Sequence, residues 1–220
     1  MADGQKHQAL PEPHANLHLK TIIVPAGTVM HRIFPVAYQS TQFNPGQRGN
    51  ARFSPFTDAA GNLIPTLYAG STFECAAMET VFHDVPYAPG LKTMAKGKLE
   101  DHLHAEVRIK VELTLIDLTN KALRKLGVTR TQLIETEKDQ YPVTRLWAQA
   151  IHSQYPEAQG LYWVSRQDDT AVAIVLFGDR VPAGAINQEG QVRNLLDDEA
   201  AYNDLLDLAD VIGLLIVPDK

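Results

Sequence analysis

The sequence contains very little cysteine. Cys75 is the single cysteine in 220 residues, which excludes an internal disulfide framework and a cysteine-rich zinc site. Such sparse use of cysteine is typical of a reducing compartment, and we therefore expect a cytoplasmic protein. Cys75 itself falls within a helical pattern, which indicates a small core residue rather than a reactive one.

An excess of basic residues is also absent. Lysine and arginine total 20 against 26 aspartate and glutamate, which gives a formal net charge of −6. The basic residues are scattered, so no patch offers the positive footprint that phosphate backbones require. We expect no direct binding to nucleic acid.

Long apolar runs and the familiar nucleotide or hydrolase motifs are missing as well. No stretch of about twenty apolar residues occurs, and the segment "MADGQKHQALPEPHANLHLK" has no apolar region of the kind that signal peptides carry. We expect no membrane association, a flexible N-terminal tail over residues 1–20 and a single domain over residues 21–220. No G-x-S-x-G, Walker-type loop or G-x-G-x-x-G appears.

A metal site is not indicated either. His102 and His104 alternate in "DHLH", but no cysteine or carboxylate stands nearby at metal-ligand spacing. We therefore expect this segment to be a solvated loop and the protein to need no metal.

Strand-like and helix-like patterns are mixed without regular alternation. The strand patterns are a pair in "TIIVPAGTVMHRIF", then "TLYAG", "VRIKVELTL" over residues 107–115, "GLYWVS" and the nearly all-apolar "AVAIVLFG", which we place centrally in a sheet. The helix patterns are residues 71–84, "NKALRKLG" closed by Gly127, "VTRLWAQAIHSQ" and residues 195–215. This mixture predicts an α+β fold with mixed or antiparallel sheets and flanking helices.

The helix predicted for residues 71–84 contains two glutamates that need different explanations. Ser71 and Glu74 have the spacing of a capping box, which accounts for Glu74 structurally. Glu79 has only apolar residues and a histidine three and four positions away. A carboxylate in such surroundings requires a hydrogen bond or a cation to remain charged.

Arg52 and Tyr68 lie upstream in strand-like contexts and are candidates to accompany Glu79. A guanidinium pairs with anions, and an aromatic face stacks on planar rings, so the three residues suit a ligand that has phosphates and a heterocycle. From the residues alone, a structural Arg–Glu pair beside a core tyrosine is the alternative.

These residues carry a family resemblance. "ARFSP", then "TLYAGSTFECAAMETVFHD" with Tyr68 eleven positions before Glu79, then "GLYWVSR" with Ser165, resemble the RES domain family over about residues 30–177. The family is named for its Arg, Glu and Ser. The resemblance implies a fold like that of bacterial ADP-ribosyltransferase toxins and an enzyme that consumes NAD as its substrate, by phosphorolysis or by transfer of ADP-ribose.

The resemblance also implies roles for single residues. Glu79 would stabilise the positive charge that develops on the ribose, Arg52 would clamp a phosphate or the ribose, and Tyr68 would stack on nicotinamide. These three are the candidate catalytic residues, while Arg32, Arg52, Tyr68 and Ser165 are the candidate NAD-binding residues. An ordinary surface arginine remains the alternative for Arg32, and a strand-end turn residue the alternative for Ser165.

The implied partners are NAD, inorganic phosphate and an Xre-type antitoxin protein. The acceptor of ADP-ribose stays open among phosphate, water and a protein side chain, as does a homodimer. Two other functions also remain open, namely a non-catalytic nucleotide-binding or interaction module of the same fold, and an enzyme acting on a smaller compound similar to ADP-ribose.

Overall fold

The computed structural model describes residues 10–46 and 49–219, and most of its strands form one mixed sheet. This sheet has eight strands in the order β1-β6-β7-β8-β3-β2-β5-β9, and every neighbouring pair is antiparallel except β6 and β7. Its strands are β1 (Thr21–Val24), β2 (Val29–Pro35), β3 (Thr66–Gly70), β5 (His102–Ile109), β6 (Leu113–Asp117), β7 (Gly160–Val164), β8 (Val172–Phe177) and β9 (Ile186–Asn194).

Five α-helices, a small second sheet and two short 3₁₀-helices, Lys96–Leu99 and Lys138–Gln140, complete the described chain. The second sheet pairs two short parallel strands, β4 (Lys92–Ala95) and β10 (Leu214–Val217). The helices are α1 (Phe73–Met78), α2 (Asn120–Leu126), α3 (Arg130–Leu133), α4 (Tyr141–Gln154) and α5 (Glu199–Val211). The predicted α+β class with a mixed sheet and flanking helices is confirmed.

The core is divided by the large sheet. Alternate residues of a strand point to opposite faces, so Val175 packs with one apolar cluster while Ile174 and Leu176 pack with another. The first cluster includes the buried faces of α2, α3 and α4. A third cluster lies beneath α1 and α5 and extends to the small sheet.

Residues 10–20 pack against the first cluster. Leu10, Leu17 and Leu19 are buried there, and the indole Nε1 of Trp147 donates a hydrogen bond to the Pro11 carbonyl at 2.8 Å. This part of the predicted flexible tail is therefore in contact with the core, while residues 1–9 lie outside the described residues. The boundaries of the domain stay a prediction.

The central position predicted for "AVAIVLFG" is confirmed, whereas two other strand predictions are wrong. The strand β8 is the fourth of eight and is almost wholly buried. Residues 107–115 are not one strand, because the chain breaks between β5 and β6 and exposes Val111. The two N-terminal strands exist but do not pair, since β1 pairs with β6 and β2 with β3 and β5.

The helix predicted for residues 71–84 is shorter than expected and has a different cap. Thr72 is the N-cap, and its hydroxyl accepts the Cys75 N–H at 3.0 Å. Ser71 instead accepts the Val172 N–H at 3.0 Å, so the predicted capping box is wrong. The helix ends after Met78, and Glu79 occupies the C-cap.

Two further expectations are corrected at other elements. The "DHLH" segment is not a solvated loop, because its last three residues begin β5 and His104 is buried. The C-terminal helix ends at Val211, where Gly213 with φ +64° leads into β10 rather than another helical turn. That positive φ is readily adopted only by glycine.

Candidate functional site

The large sheet opens between β2 and β3, and the opening holds a cavity. These strands are joined at one residue pair, His31 and Gly70, although β2 pairs with β5 through seven residues and β3 with β8 through five. The cavity has a volume of about 390 Å³, which lies within the range of small-molecule sites. Its walls include Arg32, Arg52, Tyr68, Glu79, His83 and Tyr141.

Close packing at Gly70 brings α1 to this cavity. A Cβ atom at Gly70 would lie 2.9 Å from the backbone nitrogen of Ala76 and 2.9 Å from the Cys75 Sγ. Only glycine therefore allows the helix to approach the strand so closely. Because Glu79 directly follows α1, this contact sets the position of its carboxylate at the cavity wall.

Arg52 is buried in the cavity wall, and no ion pair to its guanidinium is found among the residues that the structure describes. Its side chain is 4% exposed, and neither Nε nor Nη2 has a hydrogen-bond partner among the described residues. The guanidinium carbon lies 5.5 Å from the centroid of the Tyr141 ring. Burial lowers the pKa of Arg52, while Tyr141 and Glu79 act in the opposite direction. Burying a charged guanidinium costs free energy unless an anion accepts hydrogen bonds from its N–H groups.

Tyr68 connects the cavity to the segment that carries Arg52. Its hydroxyl accepts the Phe53 N–H at 3.1 Å and the Ser54 hydroxyl at 3.3 Å. Burial raises the pKa of the Tyr68 phenol to about 12, so it remains neutral at physiological pH. Tyr68 thus lines the cavity and fixes the residue next to Arg52.

Glu79 is held by Ser165, the residue that directly follows β7. The fully buried Ser165 donates from Oγ to Glu79 Oε1 at 2.6 Å. The same Oγ accepts the backbone N–H groups of Gln167 at 3.0 Å and Asp168 at 3.1 Å. With one donor and two acceptor positions used, this hydroxyl orients the carboxylate. Glu79 therefore has the hydrogen bond that its apolar sequence context required.

Arg32 also lines the cavity, but part of its guanidinium is engaged by the protein. Its Nη1 donates to the Ser40 carbonyl at 2.6 Å and to the Gln39 carbonyl at 3.3 Å. Burial lowers its pKa to about 10, which still leaves it charged at neutral pH. Arg32 therefore attaches the loop at residues 39–40 to β2 as well as lining the cavity.

Tyr141 and His83 also line the cavity, and the sequence alone assigns neither to the site. The side chain of His83 is 19% exposed. It lies in the cavity wall, where Nε2 is 3.2 Å from the Tyr141 hydroxyl and Nδ1 is 2.8 Å from Asp84 Oδ1. Tyr141 is 58 residues distant in the chain, so no local pattern indicates this contact.

The residues that the structure describes contain neither a cluster of metal-ligating side chains nor a membrane-spanning helix. Within residues 10–46 and 49–219, no group of three or more histidine, cysteine, aspartate or glutamate side chains has the arrangement of a metal site. None of the helices in these ranges combines the length and the apolar character needed to cross a bilayer.

Comparison with known proteins identifies one family. The model of the RES domain matches residues 29–197, a range that contains Arg32, Arg52, Tyr68, Glu79 and Ser165. Neither the curated proteins nor the solved structures contain a significant match. Because the family model covers most of the chain, this protein belongs to the RES domain family.

Proposed function

We propose that this protein is an enzyme that degrades NAD by cleaving the bond between nicotinamide and ribose, as an NAD phosphorylase or ADP-ribosyltransferase. Membership of the RES domain family, which is associated with NAD, supports this function. Phosphate, water or a protein side chain would accept the ADP-ribose. NAD is a substrate here, and the proposed reaction requires no metal.

The two unpaired guanidinium nitrogens of Arg52 are the observation that carries the proposal. Nε and Nη2 have no partner among the described residues, and Arg52 lines the cavity together with a carboxylate and a tyrosine. The pyrophosphate of NAD offers charged oxygens that match a guanidinium well. A ligand phosphate or ribose oxygen at Arg52 would therefore remove the cost of burying that group.

Glu79 is the group proposed to promote bond cleavage. Loss of nicotinamide leaves positive charge on the ribose, and a fixed carboxylate nearby stabilises that charge. The hydrogen bond from Ser165 fixes Glu79 before the substrate arrives, so little reorganisation is needed during the reaction. In this arrangement, Glu79 also accepts a hydrogen bond from a ribose hydroxyl.

The remaining predicted residues act in binding. Tyr68 would stack on nicotinamide, and Arg32 would add positive charge along β2. Ser165 is proposed to act through Glu79, because its own hydrogen-bonding positions are filled by protein atoms. This role differs from the direct contact with NAD that the family resemblance implies.

The test is incubation of purified wild type and Glu79→Gln with NAD, with and without phosphate. Chromatography of free nicotinamide and of the ADP-ribose product measures the cleavage. We expect the wild type to release nicotinamide and Glu79→Gln to lose at least about 100-fold in rate, because one electrostatic group at a reaction centre contributes this much. A dependence on phosphate would identify phosphorolysis.

Glu74→Gln is the matched control, because Glu74 lies on the same helix but is exposed and outside the cavity wall. It should retain the wild-type rate. Equal rates for wild type and Glu79→Gln would contradict the proposed role of Glu79. Tight binding of NAD or ADP-ribose by folded wild type without any cleavage would favour the alternative of a binding module.

We also propose that the protein is the toxin of a toxin–antitoxin pair with an Xre-type antitoxin. Consumption of NAD depletes a cofactor that growing cells need, so induced expression of wild type should stop growth. Expression of Glu79→Gln at the same level should permit growth. Normal growth with abundant soluble wild type would count against a toxin.

A further inference from the structure

A chain of three side chains runs along the cavity wall from the buried site to the surface. Tyr141 is 2% exposed, whereas the side chains of His83 and Asp84 are 19% and 72% exposed. The links are 3.2 Å from the Tyr141 hydroxyl to His83 Nε2 and 2.8 Å from His83 Nδ1 to Asp84 Oδ1. All three residues line the cavity.

The chemistry of the partners assigns the protons in this chain. The Asp84 carboxylate only accepts hydrogen bonds, so Nδ1 of a neutral His83 carries the proton. The other nitrogen, Nε2, then accepts from the Tyr141 hydroxyl. Lys138 Nζ is 2.7 Å from the Asp84 carboxylate, and hydrogen bonds from Lys138 and His83 lower the pKa of Asp84. A negative Asp84 is well suited to stabilise a protonated His83.

The row of side chains Tyr141, His83 and Asp84 is fixed to the same loop that holds Glu79. Ser165 donates to Glu79, and two residues later Gln167 Nε2 donates to the His83 carbonyl at 3.1 Å. At the inner end, the Tyr141 ring lies against the unpaired Arg52 guanidinium. The inner end of the chain is therefore next to the cation proposed to bind NAD.

We propose that Tyr141, His83 and Asp84 form a proton-release path that activates a neutral hydroxyl as the acceptor of ADP-ribose. This inference rests on the proposed cleavage of NAD. The acceptor is water or an alcohol hydroxyl, because an attacking atom that is already anionic forms its bond to the ribose without releasing a proton.

The step balances as follows. The acceptor oxygen forms a bond to the ribose C1′, and the bond from C1′ to nicotinamide breaks with its electron pair going to the nicotinamide nitrogen. The acceptor proton moves to the Tyr141 oxygen while the tyrosine proton moves to His83 Nε2. His83 becomes an imidazolium that donates to both Tyr141 and Asp84, and it then loses a proton to solvent.

The test compares two acceptors in the full-length protein. Nicotinamide release into water is measured beside formation of the azide adduct of ADP-ribose, since azide is an anionic nucleophile. We expect His83→Gln to lower the rate with water about 100-fold and the rate with azide no more than about threefold, as for removal of a general base. Tyr141→Phe should show the same difference while keeping a ring beside Arg52.

His18→Gln is the matched control, because His18 is exposed and lies outside the cavity wall. Its rates should equal those of wild type with both acceptors. Circular dichroism and melting temperatures check that each variant folds, and a folded Tyr141→Phe suffices to test the path when His83→Gln does not fold.

The outcomes separate this inference from the proposed function. An equal loss with water and azide would mean that these residues only support the structure, and no loss with either would also overturn the path. Wild type that releases nicotinamide only when phosphate is added would overturn the path but keep the proposed function, whereas wild type that releases none with water, azide or phosphate would remove both. If wild type is active and folded His83→Gln keeps the wild-type rate with water, the path alone is contradicted.

Discussion

Glu79 depends on one hydroxyl for its orientation. Ser165 donates to it at 2.6 Å and is itself fixed by two backbone N–H groups. A carboxylate that also borders apolar residues such as Cys75 and Ala76 would otherwise lose hydration without compensation. At the scale of single residues, the candidate site thus combines a hydrogen-bonded carboxylate, Glu79, with the Arg52 guanidinium, which has two nitrogens without a partner among the described residues.

Ser165→Ala should let the Glu79 carboxylate move out of position while the carboxylate itself stays in the protein. We expect nicotinamide release to fall by up to about 100-fold, because a small displacement of a reacting group has effects of this size. Single-turnover measurements at saturating NAD would show the loss in the chemical step. Ser71→Ala is the control, since the Ser71 hydroxyl also accepts a backbone N–H, from Val172, whereas the hydrogen bond to the Glu79 carboxylate comes from Ser165. Similar losses in both variants would refute the positioning role.

Among the structural elements, α1 is short and depends on its neighbours for its position. The helix has six residues, too few to be stable alone, and its buried face includes Phe73, Cys75, Ala76, Ala77 and Met78. Tertiary packing therefore determines where it ends and where Glu79 lies.

Gly70→Ala should move α1 away from β3. The added Cβ would lie 2.9 Å from Ala76 N and 3.0 Å from Cys75 Cβ, distances that force the backbone to shift. We expect a loss of about 1–3 kcal/mol in the free energy of unfolding, as for overpacked cores, and slower nicotinamide release per folded molecule. Urea denaturation with a parallel rate measurement tests this. Unchanged stability would show that the helix adjusts without strain.

At the scale of the whole molecule, a buried histidine links three neighbouring strands of the large sheet. His104 Nε2 is 3.1 Å from His31 Nδ1, and His104 Nδ1 is 3.1 Å from Arg193 Nη2. These residues belong to β5, β2 and β9. Burial first, and then the positive charge of Arg193, lower the pKa of His104 to about 3, although Asp198 partly opposes them. His31 also has a lowered pKa because it is buried, despite Glu106 and Glu74.

This histidine should make the folded protein sensitive to acid. Above pH 6.5, His104 is neutral in both the folded and unfolded states. Between pH 6.5 and about 3, the unfolded chain binds a proton that the folded chain excludes, so the free energy of unfolding falls as the pH falls. The contribution is at most about 1.4 kcal/mol per pH unit.

Denaturation of wild type and His104→Gln between pH 7 and pH 4 measures this effect. The variant should be less stable at pH 7 but should lose less stability on acidification. His18→Gln, which changes an exposed histidine, should follow the wild-type slope. A wild-type slope in His104→Gln would contradict the assignment.

The sequence alone determined the α+β class and the buried central strand β8, and it supplied the residues proposed for the site. Alternation of apolar residues identified strands because it reports which side chains share a face. The family resemblance selected Arg32, Arg52, Tyr68, Glu79 and Ser165, and the structure brings the first four to one cavity wall with Ser165 behind Glu79.

Tertiary structure alone decided which strands pair, where α1 ends and which other residues reach the site. Local periodicity is the same on both sides of the break between β5 and β6, so it does not reveal the break. The contact of Tyr141 with His83 joins residues 58 positions apart. Such contacts, like the opening between β2 and β3, arise from the packing of distant segments, which no local pattern of side chains records.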